Sequence, residues 1–119
     1  MIEHMLLVDG RASGLRVGLA ATFLQRARGL IGRSQRSSAA GSPSLCLRPC
    51  RAVHTLGMRE AIDLAFSDAE GRVLRLIQAL PPSRFRWCAG AQQVWEFPAG
   101  RCAELGIAVH SHLEIEAMP

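Results

Sequence analysis

The sequence has 119 residues, a hydrophobic fraction of 49% and a formal net charge of +4. This length fits one domain, and the hydrophobic content is enough for a buried core, which excludes an intrinsically disordered chain. All the basic residues are arginines, spread along the chain without a dense run, so we do not expect nucleic acid binding. We see neither a secretory signal nor an apolar run near the ~20 residues of a membrane span, and therefore expect a cytoplasmic protein with no membrane segment.

The N-terminal part predicts a β-hairpin. Residues 4–9 form a short apolar run that ends at Asp9-Gly10, which is a turn signal. Apolar residues then alternate with small or charged ones over 15–20, which is typical of a half-buried strand.

A helix is predicted over residues 22–32. Thr22 and Gln25 have the spacing of a capping box, and apolar residues recur after them at helical spacing. Residues 34–44 are rich in Ser, Gly and Ala and have no hydrophobic period, which predicts a mobile loop.

The rest of the chain is predicted to consist mainly of strands. Asp68 to Gly71 has the composition of a hairpin turn, with Gly71 suited to the left-handed position. The other predicted elements are strands at 62–67, 73–80, 91–97 and 112–116, and one or two helical turns at 98–106. We therefore predict one mainly β domain over residues 1–119, with some α+β character.

Several stretches, taken together, resemble the domain of unknown function 192 (DUF192) family. The resemblance covers residues 14–116, and the matching segments are residues 28–33, 54–59, 62–66, 71–73, 94–100 and 106–107. It implies a small antiparallel sandwich or barrel-like domain with one or two short helices. It implies no activity, because the family has no assigned one. The chain has Ala61 where the family usually has proline, and Ser111-His112 where it has Gly-Asp.

Two groups of residues invite a metal-binding interpretation. Cys46, Cys50 and His54 are four residues apart, but Pro49 argues against a helix, and on a strand each step spans about 13 Å, too far for one coordination sphere. His110, His112 and Glu114 would share one face of a strand and could bind a divalent cation, although a solvated strand explains them better. We therefore predict no metal site and no cofactor.

The cysteines are predicted to be reduced thiols, as is usual in the cytoplasm, with Cys50 and Cys88 as potential neighbours in space. No nucleophile motif or phosphate-binding glycine loop is present, so we predict no catalytic residue. Trp87 and Trp95 are expected to pack in the core or at an edge rather than to stack on bases.

The function that these observations favour is a non-catalytic binding or accessory module for a small molecule or a peptide. The alternative is a small enzyme with an unrecognised site, assisted by a metal at the paired histidines. Two hypotheses remain open for His54 and Asp63: they fix strand geometry, or Asp63 points into a polar groove above a partly buried His54. The candidate binding residues are His54, Thr55, Arg59 and Asp63 around the central strands and Arg28 and Arg33 at the end of the predicted helix.

Overall fold

The computed structural model describes residues 3–20 and 44–117. In chain order these residues form β1 (Glu3–Val8), β2 (Arg11–Ala20), β3 (Leu45–Leu47), β4 (Ala52–His54), β5 (Ile62–Ser67), β6 (Val73–Leu80), β7 (Phe85–Trp87), β8 (Gln93–Pro98), α1 (Arg101–Leu105) and β9 (Leu113–Ala117). The mainly β prediction is confirmed. The helix predicted over 22–32 and the loop predicted over 34–44, except Ser44, lie outside the described residues.

Seven strands form one sheet in the order β6-β5-β8-β3-β2-β1-β9, and β4 pairs with β7 in a separate small sheet. Every pairing in the large sheet is antiparallel except that of β2 with β3, which is parallel. The sheet is therefore mixed, and it remains open, with β6 and β9 at its edges.

Both predicted hairpins are present. At the β1–β2 turn, Asp9 has φ 51° and Gly10 has φ 80°, the positive values that a type I′ turn requires. At the β5–β6 turn, the Asp68 carboxylate accepts hydrogen bonds from the Glu70 and Arg72 N–H groups at 3.0 and 2.9 Å. Both turns thus follow from local sequence signals.

The centre of the large sheet is covered on both faces. All six residues of β5 are buried, and along β8 the side chains alternate between two apolar clusters. Trp95 and Phe97 belong to one cluster with Val17 of β2, whereas Val94 belongs to the other with Leu64 of β5.

The small β4–β7 sheet packs over the second of these clusters. Val53 of β4 is 7% exposed and lies in that cluster, and Cys50, Met58 and Cys88 pack against it from the adjoining segments. The small sheet therefore has one face on the core and one face directed outwards.

The edge strands of the large sheet meet at one end, through an antiparallel bridge between Arg72 and His112. Beside it, the Leu113 N–H donates to the Gly71 carbonyl at 2.8 Å, and the His112 N–H donates to the Asp9 carboxylate at 2.8 Å. Gly71 has φ 94°, and a Cβ there would overlap the Leu113 carbonyl oxygen. Glycine is therefore required where the two edges meet.

The helix α1 lies within the predicted helical segment and ends at Gly106, whose N–H donates to the Ala103 carbonyl. It has five residues. Among the described residues, no helix has the length and apolar character needed to cross a membrane.

Candidate functional site

Asp63 is fully buried, so the expectation that it points into an open groove is wrong. Its Oδ1 accepts a hydrogen bond from the Ala79 N–H at 2.8 Å, and its Oδ2 accepts from the Gly100 and Cys102 N–H groups at 3.0 and 3.1 Å. Ala79 has φ 53° and lies at an irregularity in the β5–β6 register. Because regular strand pairing is interrupted there, the Ala79 N–H can donate to the Asp63 side chain. The carboxylate thus joins β5, β6 and the start of α1.

Thr55 is a second buried anchor. Its Oγ1 donates to the Pro81 carbonyl at 2.9 Å and accepts from the Arg84 N–H at 2.8 Å, which fastens the end of β4 to the turn between β6 and β7. Pro81 follows Ala79, the partner of Asp63, by two residues. Thr55 and Asp63 therefore both fix the end of β6, from which the chain turns into β7.

The other candidate binding residues do not complete a polar groove with these two. His54 is exposed rather than partly buried, because it lies opposite Phe85 on the outward side of the small sheet. Arg59 is exposed in the loop between β4 and β5. Arg28 and Arg33 lie outside the described residues.

In place of the expected polar groove, the small sheet has an exposed aromatic surface. His54 lies opposite Phe85 and Ala52 opposite Trp87, and these four side chains form the outer face of the small sheet. Phe85 is 60% exposed and Trp87 is 57% exposed. Leu56, just after β4, is also largely exposed. Large apolar side chains rarely stand together in water unless they contact a partner.

The two tryptophans thus have opposite environments. The packing prediction is confirmed for Trp95, which is 1% exposed and whose Nε1–H donates to the Ser67 hydroxyl at 2.9 Å. Trp87 is instead 57% exposed, and Val53, on the other face of the small sheet, is the residue that packs into the core.

One edge of β7 is paired with β4, and the other pairs with no strand among the described residues. Arg84 and Cys88 make backbone hydrogen bonds with the β4 segment. In an antiparallel pair the intervening alternate residues direct their backbone groups away from the partner strand, so the Phe85 and Trp87 carbonyls face the other edge.

Arginine guanidinium groups donate hydrogen bonds to these outward-facing carbonyls. Arg86 donates to the Phe85 carbonyl and Arg75, from β6, donates to the Trp87 carbonyl, each at 2.8 Å. Arg84 donates to a carbonyl of the preceding turn at 3.2 Å. Three cationic groups therefore lie along the backbone of β7 and the turn before it, and Arg84 and Arg86 alternate with the exposed rings along the chain.

No described carboxylate neutralises these arginines. Across residues 3–20 and 44–117 the ion pair within 4.0 Å is Arg101 with Glu104, on α1. The segment 71–94, which contains β6 and β7, has four arginines and no acidic residue. The segment that contains β6 and β7 thus carries a net positive charge.

The paired histidines do not share a strand face, contrary to expectation. His110 precedes β9 and has φ 79°, whereas the Nε2–H of His112 donates to the Glu70 carbonyl at 2.6 Å. Within the part of the chain that the structure describes, no three His, Cys, Asp or Glu side chains are grouped so that they could hold a metal ion.

The cysteines fall into two pairs of different accessibility, and none is in a disulfide. Burial raises the pKa of the Cys46 thiol to about 12. The pKa of Cys102 is also raised to about 12, first by burial and then by the charge and hydrogen bond of Asp63. Cys50 and Cys88 are partly exposed.

These environments predict selective alkylation. In the native protein at about pH 8, iodoacetamide should modify Cys50 and Cys88 well before Cys46 and Cys102, because the thiolate is the reactive form. Peptide mass mapping would measure this order, and denatured protein prepared without reductant should give four thiols. Equal native rates at all sites, or a count of two thiols, would contradict the prediction.

The described residues thus define a small mainly β domain with buried polar anchors beneath an exposed, arginine-lined aromatic face. The chain belongs to the DUF192 family, described as "Uncharacterized ACR", whose model matches residues 5–115. This match begins within β1, whereas the resemblance noted from the sequence began at residue 14.

Two solved structures share the fold. A protein of unknown function from Novosphingobium aromaticivorans DSM 12444 has a TM-score of 0.75 and 21% identity, covering 94% of this chain and 84% of its own. A "putative transcription regulator" from Sinorhizobium meliloti 1021 has a TM-score of 0.80 and 20% identity, covering 95% of this chain and 93% of its own. No curated protein matches this chain at a significant level.

Sequence reasoning missed the residues that distinguish the surface. The signal for Phe85 and Trp87 was available: two aromatic residues alternate with arginines directly after Pro81-Pro82, which is the pattern of a short strand with one apolar face. The buried Glu96 of β8 had no such signal, because its neighbours in sequence are also buried.

Proposed function

We propose that this protein is a non-catalytic binding module and that the outer face of the β4–β7 sheet is its ligand-binding surface. The observation that carries the proposal is the exposure of Phe85 and Trp87, at 60% and 57%, side by side on one strand of a domain whose other described aromatic residues are buried. Aromatic side chains supply large contact areas at a low cost in conformational entropy, which suits them to recognition.

The surface is held rigidly from below. Val53 packs into the core beneath it, Thr55 fastens β4 to the turn before β7, and Asp63 fixes the strand that leads into that turn. A platform that is already ordered loses little freedom when a ligand binds, so more of the contact energy contributes to affinity. In this proposal Thr55 and Asp63 are positioning residues, and the ligand contacts the outer face.

The chemistry of the surface defines the ligand class in outline. Flat aromatic rings favour planar or apolar groups, and the guanidinium groups of Arg75, Arg84 and Arg86 favour anions. We therefore expect a ligand that combines a planar ring with negative charge.

The two indole N–H signals provide a direct test. In a two-dimensional NMR titration with adenosine monophosphate, a planar anion, the Trp87 indole signal should shift, whereas that of the buried Trp95 should stay in place. The variant Phe85→Ala should weaken the response, and Val109→Ala, which shortens an apolar side chain exposed elsewhere, should not. Shifts that map away from β4 and β7, or an equal loss in both variants, would refute the proposed surface.

A further inference from the structure

We infer, building on the proposed binding function, that the ligand of the outer face is single-stranded nucleic acid. The first observation is the placement of the two rings. Phe85 and Trp87 are two residues apart on one strand and face the same way, so their Cα atoms lie about 6.7 Å apart. This is about twice the ~3.4 Å rise per base in a stacked strand, so a strand whose bases have separated can place one base on each ring.

The second observation is the charge along the same strand. Arg75 and Arg86 each donate to one backbone carbonyl and Arg84 donates to two, whereas each guanidinium has five N–H donors in all. The remaining donors suit the paired oxygens of a phosphate group. Because no described carboxylate pairs with these arginines, a phosphate backbone would meet uncompensated charge along the strand that carries the rings.

The occupied edge of β7 argues against an extended peptide. A peptide that adds to a sheet as a new strand needs free backbone acceptors at the edge. Here the outward carbonyls of Phe85 and Trp87 already accept hydrogen bonds from guanidinium groups. A second copy of the chain is also disfavoured, because two such faces would bring like charges together.

Duplex nucleic acid fits this surface less well than a single strand. Stacking on exposed rings requires bases that are free from their own partners, which a duplex does not offer. The outer face is formed by two strands of three residues each, so its contacts extend over a few nucleotides.

This inference reverses the expectation from composition. That expectation rested on the absence of a dense run of arginines and on the assignment of Trp87 to packing. In the structure, arginines from β6 and β7 that are distant in sequence lie along one strand edge, and Trp87 is exposed.

Fluorescence anisotropy with a labelled single-stranded oligonucleotide of about 12 nucleotides, in DNA and RNA forms, tests the inference. The wild-type protein should bind, and the double variant Phe85→Ala/Trp87→Ala should lose at least about tenfold in affinity, since each stacked base contributes about fivefold or more. The same oligonucleotide annealed to its complementary strand should bind at least about tenfold more weakly than the single strand.

A pair of charge-matched variants separates a specific surface from general attraction. Arg84→Ala/Arg86→Ala should lower affinity and flatten its salt dependence, because fewer phosphate contacts release fewer counterions. Arg11→Ala/Arg16→Ala removes the same charge from exposed positions of β2 and should change affinity less than about twofold. Equal losses in the two pairs would overturn the inference.

Other outcomes distinguish this inference from the proposed function. If the oligonucleotide fails to bind but poly-glutamate binds and depends on Phe85 and Trp87, the nucleic acid inference fails and the binding surface stands. If sedimentation shows a dimer that the double aromatic variant dissociates, the face is an interface between copies and the inference fails. If neither probe binds and the Trp87 indole signal responds to no planar anion, the inference and the proposed function both fail.

All the substituted side chains except the partly buried Arg86 are exposed, and thermal melting would confirm that the variants fold.

Discussion

Replacing Asp63 with alanine is expected to lower the free energy of unfolding by about 3–5 kcal/mol. The substitution leaves the N–H groups of Ala79, Gly100 and Cys102 without their acceptor. Asp63 and Cys102 are fully buried, whereas Ala79 and Gly100 are exposed, so water can replace the carboxylate only in part. Each buried donor without a partner costs about 1–3 kcal/mol, and partial relaxation of the loop before α1 would recover part of the sum. Urea titration followed by circular dichroism would measure the loss.

Two further variants make this result specific. Asp63→Asn keeps the shape but replaces one acceptor oxygen with an N–H₂ group, so it should lose most of the same stability. Asp68→Ala removes a carboxylate that also accepts two backbone N–H groups, but in an exposed turn where water can replace it, and should cost about 1 kcal/mol. If Asp63→Ala retained its unfolding midpoint and lost ligand binding alone, Asp63 would have to be a ligand contact and not an anchor.

Gly71→Ala should be destabilising by about 3 kcal/mol or more. An alanine at φ 94° is strained, at a cost of about 1–2 kcal/mol, and its Cβ would overlap the Leu113 carbonyl oxygen. Relief of the overlap would separate Gly71 from Leu113 and break the 2.8 Å hydrogen bond between them. We expect the melting temperature to fall by about 10 °C or more.

Gly10→Ala is the matched control. Gly10 has φ 80°, so the backbone strain is similar, but a Cβ there would meet nothing within 4 Å. Its cost should therefore be limited to the strain of about 1–2 kcal/mol. Equal melting temperatures for the two variants would show that the close approach of Gly71 to Leu113 contributes nothing to stability.

Local sequence signals predicted much of the fold because they depend on neighbouring residues alone. The Asp9-Gly10 pair and the segment from Asp68 to Gly71 specified their hairpins, and the strand predicted at 73–80 matches β6 residue for residue. The strand order depends on contacts between distant segments, such as the parallel pairing of β2 with β3. No local pattern encodes that pairing.

The candidate site was harder to predict because alternation does not say what covers each face of a strand. The pattern of β5 suggested one solvated face with Asp63 on it, but β5 is central and both of its faces are buried. His54 was expected to be partly buried under one hypothesis, yet Val53 is the residue that β4 buries. The orientation of a three-residue strand depends on the strand with which it pairs, and the local sequence pattern does not identify that strand.

The position of β1 has a consequence for the order of events during synthesis. β1 pairs locally with β2 on one side, but its other side pairs with β9, more than 100 residues later in the chain. Until β9 has left the ribosome, the N-terminal hairpin has an open edge of unpaired backbone groups, which is a site where strands of other chains can add. Long-range pairings of this kind also slow folding. The nascent protein should therefore be most prone to aggregation just before β9 emerges.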